Sequence, residues 1–235
     1  MTPSDGPTAT STPIITPTST QPAGSPTVTR TPNPVCSVSI GDGQLYTNQR
    51  DITIHANVTG AVEMQLSNDN NFNAAIWRPY APTQSWTLSS PSQTLLTLQV
   101  FARFRDAQGN QLCNGAVMID DILYDAQPPT LRIVSFTSNV VSASNQAAAA
   151  AINGTLTIEA TDQQGGSGVL QMRIGALPDL ADVGWRPFVS PATVALSQNG
   201  QMIYAQVQDG AGNVSHIAGW ALDGNGKTYL PIVKR

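Results

Sequence analysis

Ala102-Arg-Phe-Arg-Asp-Ala-Gln-Gly-Asn110 and Ala205-Gln-Val-Gln-Asp-Gly-Ala-Gly-Asn213 are two versions of one nine-residue text, aligned without a gap. Each begins as a strand with alternating side chains and ends in Asp-x-x-Gly-Asn, the composition of a tight turn. The match extends outward on both sides. Met64 precedes Trp77-Arg-Pro-Tyr80 by thirteen residues, and Met172 precedes Trp185-Arg-Pro-Phe188 by the same thirteen. Nine residues after each of these tryptophans come Trp86-Thr-Leu88 and Val194-Ala-Leu196, and the copies close on Ile122-Leu-Tyr-Asp125 and Trp220-Ala-Leu-Asp223. Anchors in one order at matched spacing define an internal repeat.

The text between the anchors has period two. Ile52, Ile54, Ala56 and Val58 alternate with Thr53, His55 and Asn57, and Val100, Ala102 and Phe104 alternate with Phe101, Arg103 and Arg105. Val62, Met64 and Leu66 form a third such run, matched in the second copy by Leu156, Ile158 and Ala160, by Leu170, Met172 and Ile174, and by Ile203, Ala205 and Val207. Such runs, bounded by Gly, Asn, Asp and Pro, are half-buried antiparallel strands. The predicted fold is all-β: two tandem β-sandwich modules at residues 36–127 and 128–224, meeting at Pro128-Pro129, where two prolines stop ladder pairing. Ser142–Asn153, with Ala147–Ala151 inside it, reads as a variable loop because five alanines are too few to hold an isolated helix. Residues 225–235 read as a C-terminal tail.

Residues 1–35 are a Thr/Pro/Ser tract whose only charges are Asp5 and Arg30. It cannot bury enough apolar surface to offset its ordering entropy, and its prolines favour an extended polyproline conformation. It is expected to be a disordered stalk. Charged residues are only 11% of the chain, the net charge is −4, and no stretch long and apolar enough to span a bilayer occurs. Nucleic acid is disfavoured as a partner, since phosphate binding needs clustered Lys and Arg. Met1-Thr-Pro-Ser-Asp-Gly is not a signal peptide, so the sequence is expected to be a piece of a longer exported precursor.

With these features the modules resemble bacterial immunoglobulin-like (Ig-like or fibronectin-III-like) modules strung along exported cell-surface proteins. The resemblance rests on the paired Asp-x-x-Gly-Asn turns (Asp106–Asn110 and Asp209–Asn213), the Trp-x-Pro-aromatic segments and the Pro-Pro junction. It implies an extracellular or cell-surface setting and a spacer, adhesive or enzyme-accessory role. The closing Tyr229-Leu-Pro-Ile-Val resembles short endings of exported proteins and implies sorting or anchoring; the plainer reading is a last strand. Cys36 and Cys113 fall in the first module. They are one intramolecular disulfide or two unrelated buried thiols, and the oxidising setting favours the disulfide.

Candidate chemistry is sparse. The Asp-x-x-Gly-Asn segments read as self-capped turns in preference to calcium loops, and Asp120, Asp121 and Asp125 are an acidic group split by alternation. His55 and His216 are too few and dispersed for a metal site or triad, and no nucleophile elbow or phosphate loop is present. Glu63 and Glu159 occupy unmatched outward strand positions. No catalytic residue, metal ligand or cofactor site is assigned. Trp77, Tyr80, Trp185 and Phe188 are the candidate ligand platform, set against a scaffold role in which they fold a strand edge onto the core; Trp86 and Trp220, replaced by Val194 and Ile122 in the other copy, read as core. Tyr46, Tyr80, Phe101 and Tyr204 are the aromatics expected to reach the surface. The expected function is a non-catalytic structural or adhesive module with protein or glycan partners. The alternative is a carbohydrate-binding accessory module of a secreted hydrolase.

Overall fold

A computed structural model describes residues 35–138, 152–196, 202–222 and 228–233. The stalk, most of the alanine-rich insertion and the extreme C-terminus lie outside the described residues. The protein is all-β, with one 3-10 turn at Cys113–Gly115 and no α-helix among the described residues.

Eight strands form the N-terminal half: β1 (Cys36–Ile40), β2 (Tyr46–Thr47), β3 (Asp51–Val58), β4 (Glu63–Ser67), β5 (Arg78–Pro79), β6 (Thr83–Thr87), β7 (Leu95–Arg105) and β8 (Met118–Asp125). They make two sheets, β1-β3-β6 and β2-β8-β7-β4-β5. The C-terminal half has β9 (Thr130–Ser138), β10 (Ile152–Thr161), β11 (Val169–Gly175), β12 (Arg186–Pro187), β13 (Ala192–Leu196), β14 (Met202–Asp209), β15 (Ala218–Leu222) and β16 (Thr228–Val233), in sheets β13-β10-β9 and β12-β11-β14-β15-β16. Among the described residues no sheet mixes strands of the two halves. Thr228–Val233, part of the expected tail, is an edge strand antiparallel to β15.

The alternating faces explain the two cores. Ile54, Ala56 and Val58 of β3 meet Met64, Leu66, Val100, Ala102, Phe104 and Ile122 of the five-stranded sheet in one buried cluster. Leu156, Ile158 and Val194 meet Met172, Ile174, Ile203, Ala205, Val207 and Trp220 in the other. Each core has one indole, supplied from opposite sheets. Trp86 on β6 is half-buried and packs against the first core, whereas Trp220 on β15 is buried in the second.

Three expectations about facing are corrected. Val62 and Leu170 were expected inside with Met64 and Met172, yet they are 50% and 57% exposed. Both lie at the mouth of a strand, where the carbonyl of Val62 accepts from Tyr80 N at 2.8 Å and that of Leu170 from Phe188 N at 3.0 Å. In the second copy a bulge between Val169 and Gln171 resets the alternation, turning Leu170 out and Val169 against the core. Phe101, expected at the surface, is buried. It sits on the central strand β7, flanked by Ser67 of β4 and Ile119 of β8.

The Asp-x-x-Gly-Asn segments are self-capped turns. Asp106 Oδ1 accepts from Gln108 N and Asn110 N, and Asp209 Oδ1 accepts from Ala211 N and Asn213 N. Gly109 (φ 82°) and Gly212 (φ 92°) take the left-handed conformation the turn needs. Cys36 and Cys113 form a disulfide across a sequence separation of 77 residues. Cys113 belongs to a short insertion with no counterpart in the second copy, so the cross-link tethers β1 only in the N-terminal half.

Replacing Cys36 and Cys113 together by serine should destabilise the N-terminal half by about 2–5 kcal/mol, the usual cost of losing a native disulfide. Denaturant unfolding with and without the cross-link measures it; the second core, which has no disulfide, should keep its midpoint.

Candidate functional site

The candidate platform residues do not form one open surface. The Arg105 guanidinium lies 4.4 Å from the centre of the Trp77 ring and is held there by Glu63 at 2.5 Å. Arg173 covers Trp185 at 4.7 Å. Such stacking joins the cation to the electron-rich ring face and occupies the surface a sugar would use. Tyr80 turns inward: its hydroxyl donates to the Ala56 carbonyl at 2.9 Å, and its ring meets Phe104 edge-on at 6.1 Å. It thereby ties β3 to the opposite sheet. Phe188 packs against the second core. The Trp-Arg-Pro segments are two-residue edge strands on β4 and β11, a position where proline costs no ladder bond.

The arginines follow a rule that spans both copies. Gln65 faces Arg103 in the β4–β7 register, and Arg173 faces Gln206 in the equivalent β11–β14 register. The residue types are exchanged while the contact is kept. Arg103 donates to Gln65 Oε1 at 2.7 Å, and Arg173 donates to Gln206 Oε1 through two N–H groups at 3.0 and 2.6 Å. In both cases the glutamine Nε2 goes on to donate to a backbone carbonyl, that of Ala75 at 2.8 Å and of Ser215 at 2.7 Å. Arg103 also stacks over Phe72 at 3.8 Å, and Arg173 reaches the Leu180 carbonyl. Phe72 and Leu180 are themselves equivalent, both buried at positive φ (56° and 52°). The Arg–Gln pair therefore holds the loop before each Trp-Arg-Pro strand onto its sheet.

The densest polar constellation lies elsewhere, where the end of β8 meets two loops of the C-terminal half. Asp125 has no exposure to solvent. Its Oδ2 accepts from Ser167 N and Ser167 Oγ, each at 2.8 Å, and its Oδ1 from Gln163 Nε2 at 3.3 Å and Gln127 N at 3.2 Å. A buried carboxylate is tolerated only when its lone pairs are filled, and here three of the four donors come from beyond Thr130. Asn213 answers in the other direction. Its Nδ2 donates to the Asp125 carbonyl and to Asp209 Oδ2, each at 2.8 Å, while its Oδ1 accepts from Asn48 Nδ2 at 3.2 Å. Ser167 Oγ accepts from Ala211 N at 3.0 Å, closing the ring of contacts.

Two glycines permit the approach. A Cβ at Gly210 would lie 2.8 Å from the Ser167 carbonyl oxygen and 3.2 Å from the Tyr46 ring. The first copy's turn, which meets no such neighbour, carries Ala107 at the equivalent position. A Cβ at Gly166 would lie 2.8 Å from Asp162 Oδ2 and 3.1 Å from Asp125 Oδ2.

Asp125, Asp162 and Asp209 bring carboxylate oxygens within 4.8 Å of one another. Among the described residues none of the three has a salt-bridge partner; the salt bridges are Arg105–Glu63 and Arg132–Glu159. Burial pushes the Asp209 carboxyl above its ordinary range against the pull of its Asn213 hydrogen bonds, and the neighbouring charges of Asp125 and Asp162 add to the rise. Asp106, in the same turn of the first copy, moves the opposite way because its hydrogen bonds from Asn110 outweigh a smaller effect of burial.

Sequence reasoning grouped Asp125 with Asp120 and Asp121; the structure separates them. Asp120 accepts from Ile40 N at 2.6 Å and ties β1 to β8, whereas Asp125 joins Asp162 and Asp209. The signal that was available is the Gly210/Ala107 difference between otherwise equivalent turns. His55 lies 3.7 Å from Asp42 on the surface. Ser215, next to His216, has its hydroxyl occupied by Val207 N and the His216 carbonyl.

Asn213→Ala removes bonds to two acceptors that stay buried, so it should cost about 2–6 kcal/mol, taking about 1–3 kcal/mol per unsatisfied group. Asn110→Ala, at the exposed copy of the turn, should cost about 1 kcal/mol or less; chemical unfolding of both variants measures the gap. Gln65→Arg and Arg103→Gln should each destabilise the N-terminal half, and the double exchange, which recreates the C-terminal arrangement, should recover most of the loss in a double-mutant cycle.

No family model matches the chain, and no curated protein matches it.

Proposed function

We propose that this chain is a non-catalytic structural segment of an exported protein, built as two tandem immunoglobulin-like β-sandwich modules behind a Thr/Pro-rich stalk, which holds its neighbours at a fixed distance outside the cell. The observation that carries this reading is the Asp125–Ser167–Asn213 joint. A flexible tether between the halves would need no buried carboxylate whose donors come from the next half, and no glycine kept free of a side chain at the contact. Two separate cores, each closed by its own pair of sheets, support the tandem arrangement. The disulfide supports an oxidising setting. Among the described residues no helix is long and apolar enough to cross a membrane.

A carbohydrate-binding role is favoured by a different feature. A cleft of about 610 Å³ is lined by Asp51, Ile52, Thr53, Asn68, Ser85, Trp86 and Thr87. It combines an indole with several hydroxyl, amide and carboxylate groups, the mixture that recognises a sugar ring. Its lone tryptophan, however, is half-buried, donates its N–H to Asn68 Oδ1 at 2.8 Å and has Arg78 over its ring at 5.3 Å.

Spin labels on cysteines introduced at exposed Thr83 and Thr193 of the full chain test the spacer reading. One narrow distance distribution is expected, broadened by Gly210→Ala and unchanged by Ala107→Gly. A broad distribution in the unaltered chain would remove the rigid-spacer reading. Saturable binding of soluble polysaccharides that is lost in Trp86→Ala, with the fold intact, would establish the carbohydrate reading in its place.

A further inference from the structure

We propose that the cleft between the two halves, beside the joint, is a binding site for a neutral oligosaccharide chain, held by glutamine carboxamides and the Tyr46 ring. This rests on the rigid-joint reading, because the two walls come from different halves, and it gives the spacer a ligand.

The cleft has a volume of about 360 Å³. Gln44, Tyr46 and Gln49, in and around β2, line one wall; Leu170, Gln171 and Gln208, on β11 and β14, line the other. Parallel pairing of β2 with β8 fixes Tyr46, whose ring lies against Gly210, where a Cβ would come within 3.2 Å of it. Asn48 supports this wall: its Nδ2 donates to Asn213 Oδ1 at 3.2 Å, and its Oδ1 accepts from Gln49 Nε2 at 3.1 Å. Gln208 is pinned through Nε2 on the Gly212 carbonyl at 3.2 Å. Among the described residues, Gln49 and Gln208 thus keep their side-chain oxygens free, and the amides of Gln44 and Gln171 have no partner.

The repeat supplies a contrast. At the same register of the first copy Glu63 faces Arg105, and the two satisfy each other in an ion pair at 2.5 Å. In the second copy Gln171 faces Gln208, and neither bonds to the other among the described residues. Beside the joint, then, two carboxamides with unused donors and acceptors stand where the first copy has a self-satisfied pair. The sheet does not require this, since the first copy builds the same strands with the charged pair.

The chemistry of the walls selects the ligand. Of the residues lining the cleft only Asp209 is charged; it is 2% exposed, and its oxygens accept from Ala211 N, Asn213 N and Asn213 Nδ2. A charged ligand would find no counter-ion. An apolar ligand would strip water from the carboxamides and return no hydrogen bond, which is costly. A sugar hydroxyl both donates and accepts, as a carboxamide does, and the C–H face of a sugar ring can pack on Tyr46 and on Leu170, which is 57% exposed. The cleft runs into a second, also of about 360 Å³, with which it shares Gln44, Thr47 and Gln49. That length suits a chain of sugar units better than a single ring.

Titration of the isotope-labelled full chain with cellohexaose, xylohexaose and mannohexaose, followed by NMR of the side-chain amides, tests the site. The three sugars differ in hydroxyl orientation and in the exocyclic hydroxymethyl group. At least one is expected to give saturable shifts of the Gln44, Gln49, Gln171 and Gln208 amides, with a Kd of about 1 mM or tighter. Gln44→Ala, at an exposed side chain, should weaken binding at least about threefold and leave the fold intact. The exchange of Gln171→Glu with Gln208→Arg, which writes the first copy's ion pair at the same register, should weaken it about tenfold or more. Trp86→Ala, in the other cleft, should leave the Kd within about twofold. No saturable shift with any of the three sugars would overturn the site, as would binding that both Gln44→Ala and the exchange leave unchanged. Loss of binding in Trp86→Ala alone would place the sugar in the other cleft and overturn it too. The Thr83–Thr193 distance in the same protein separates the failures: a narrow distribution without sugar binding overturns the cleft and leaves the joint standing, and a broad one overturns both.

Discussion

A carboxylate removed from water must find its hydrogen-bond donors in the protein, and Asp125 finds three of four in residues that follow it by 38 to 42 positions. That requirement ties the halves together. An uncompensated buried carboxylate would cost several kcal/mol, so the ends of β8 and the Gln163–Gly168 loop cannot part without either admitting water or leaving the charge unpaired. Asn213 fixes the geometry from the other side with both amide hydrogens and its oxygen engaged. The hydrophobic cores, in contrast, are closed locally: each half buries its own apolar faces and owes nothing to its neighbour. Apolar burial makes the halves, and polar satisfaction joins them.

The internal repeat shows which contacts the architecture needs. The equivalent turns keep every local hydrogen bond, from Asp106 N to Asn110 O and from Asp209 N to Asn213 O, each at 3.0 Å. The Arg–Gln contact survives with its residue types exchanged, which marks the pair, and not either residue, as the unit of stability. The indole moves from one sheet to the other. Where the copies differ without compensation, the difference has a local cause: Gly210 in place of Ala107 at the joint, and Cys113 in an insertion that only the first copy has.

Much of the fold was legible because period-two patterning and turn chemistry are local. Ile54, Ala56 and Val58 declared one face of β3, and Met172 with Ile174 one face of β11. Reading failed where a non-local event resets the period. The bulge at Val169–Gln171 turns Leu170 outward, and Phe101 is enclosed because its strand is central, which its own sequence does not state. The joint was legible only in part. Asp209 and Asn213 were recognised as turn residues, but their docking on Asp125 depends on two halves meeting in space. Trp77 and Trp185 stood out by recurrence, yet the arginines that cover them lie on other strands, 28 residues later for Arg105 and 12 residues earlier for Arg173.

In the rigid joint proposed above, the two halves move as one body because Asp125 and Asn213 lock them. Backbone residual dipolar couplings of the full chain, fitted separately for the strands of each half, test it most directly. One alignment tensor is expected to satisfy both halves in the unaltered chain and to fail in Asn213→Ala. Two distinct tensors in the unaltered chain would contradict it.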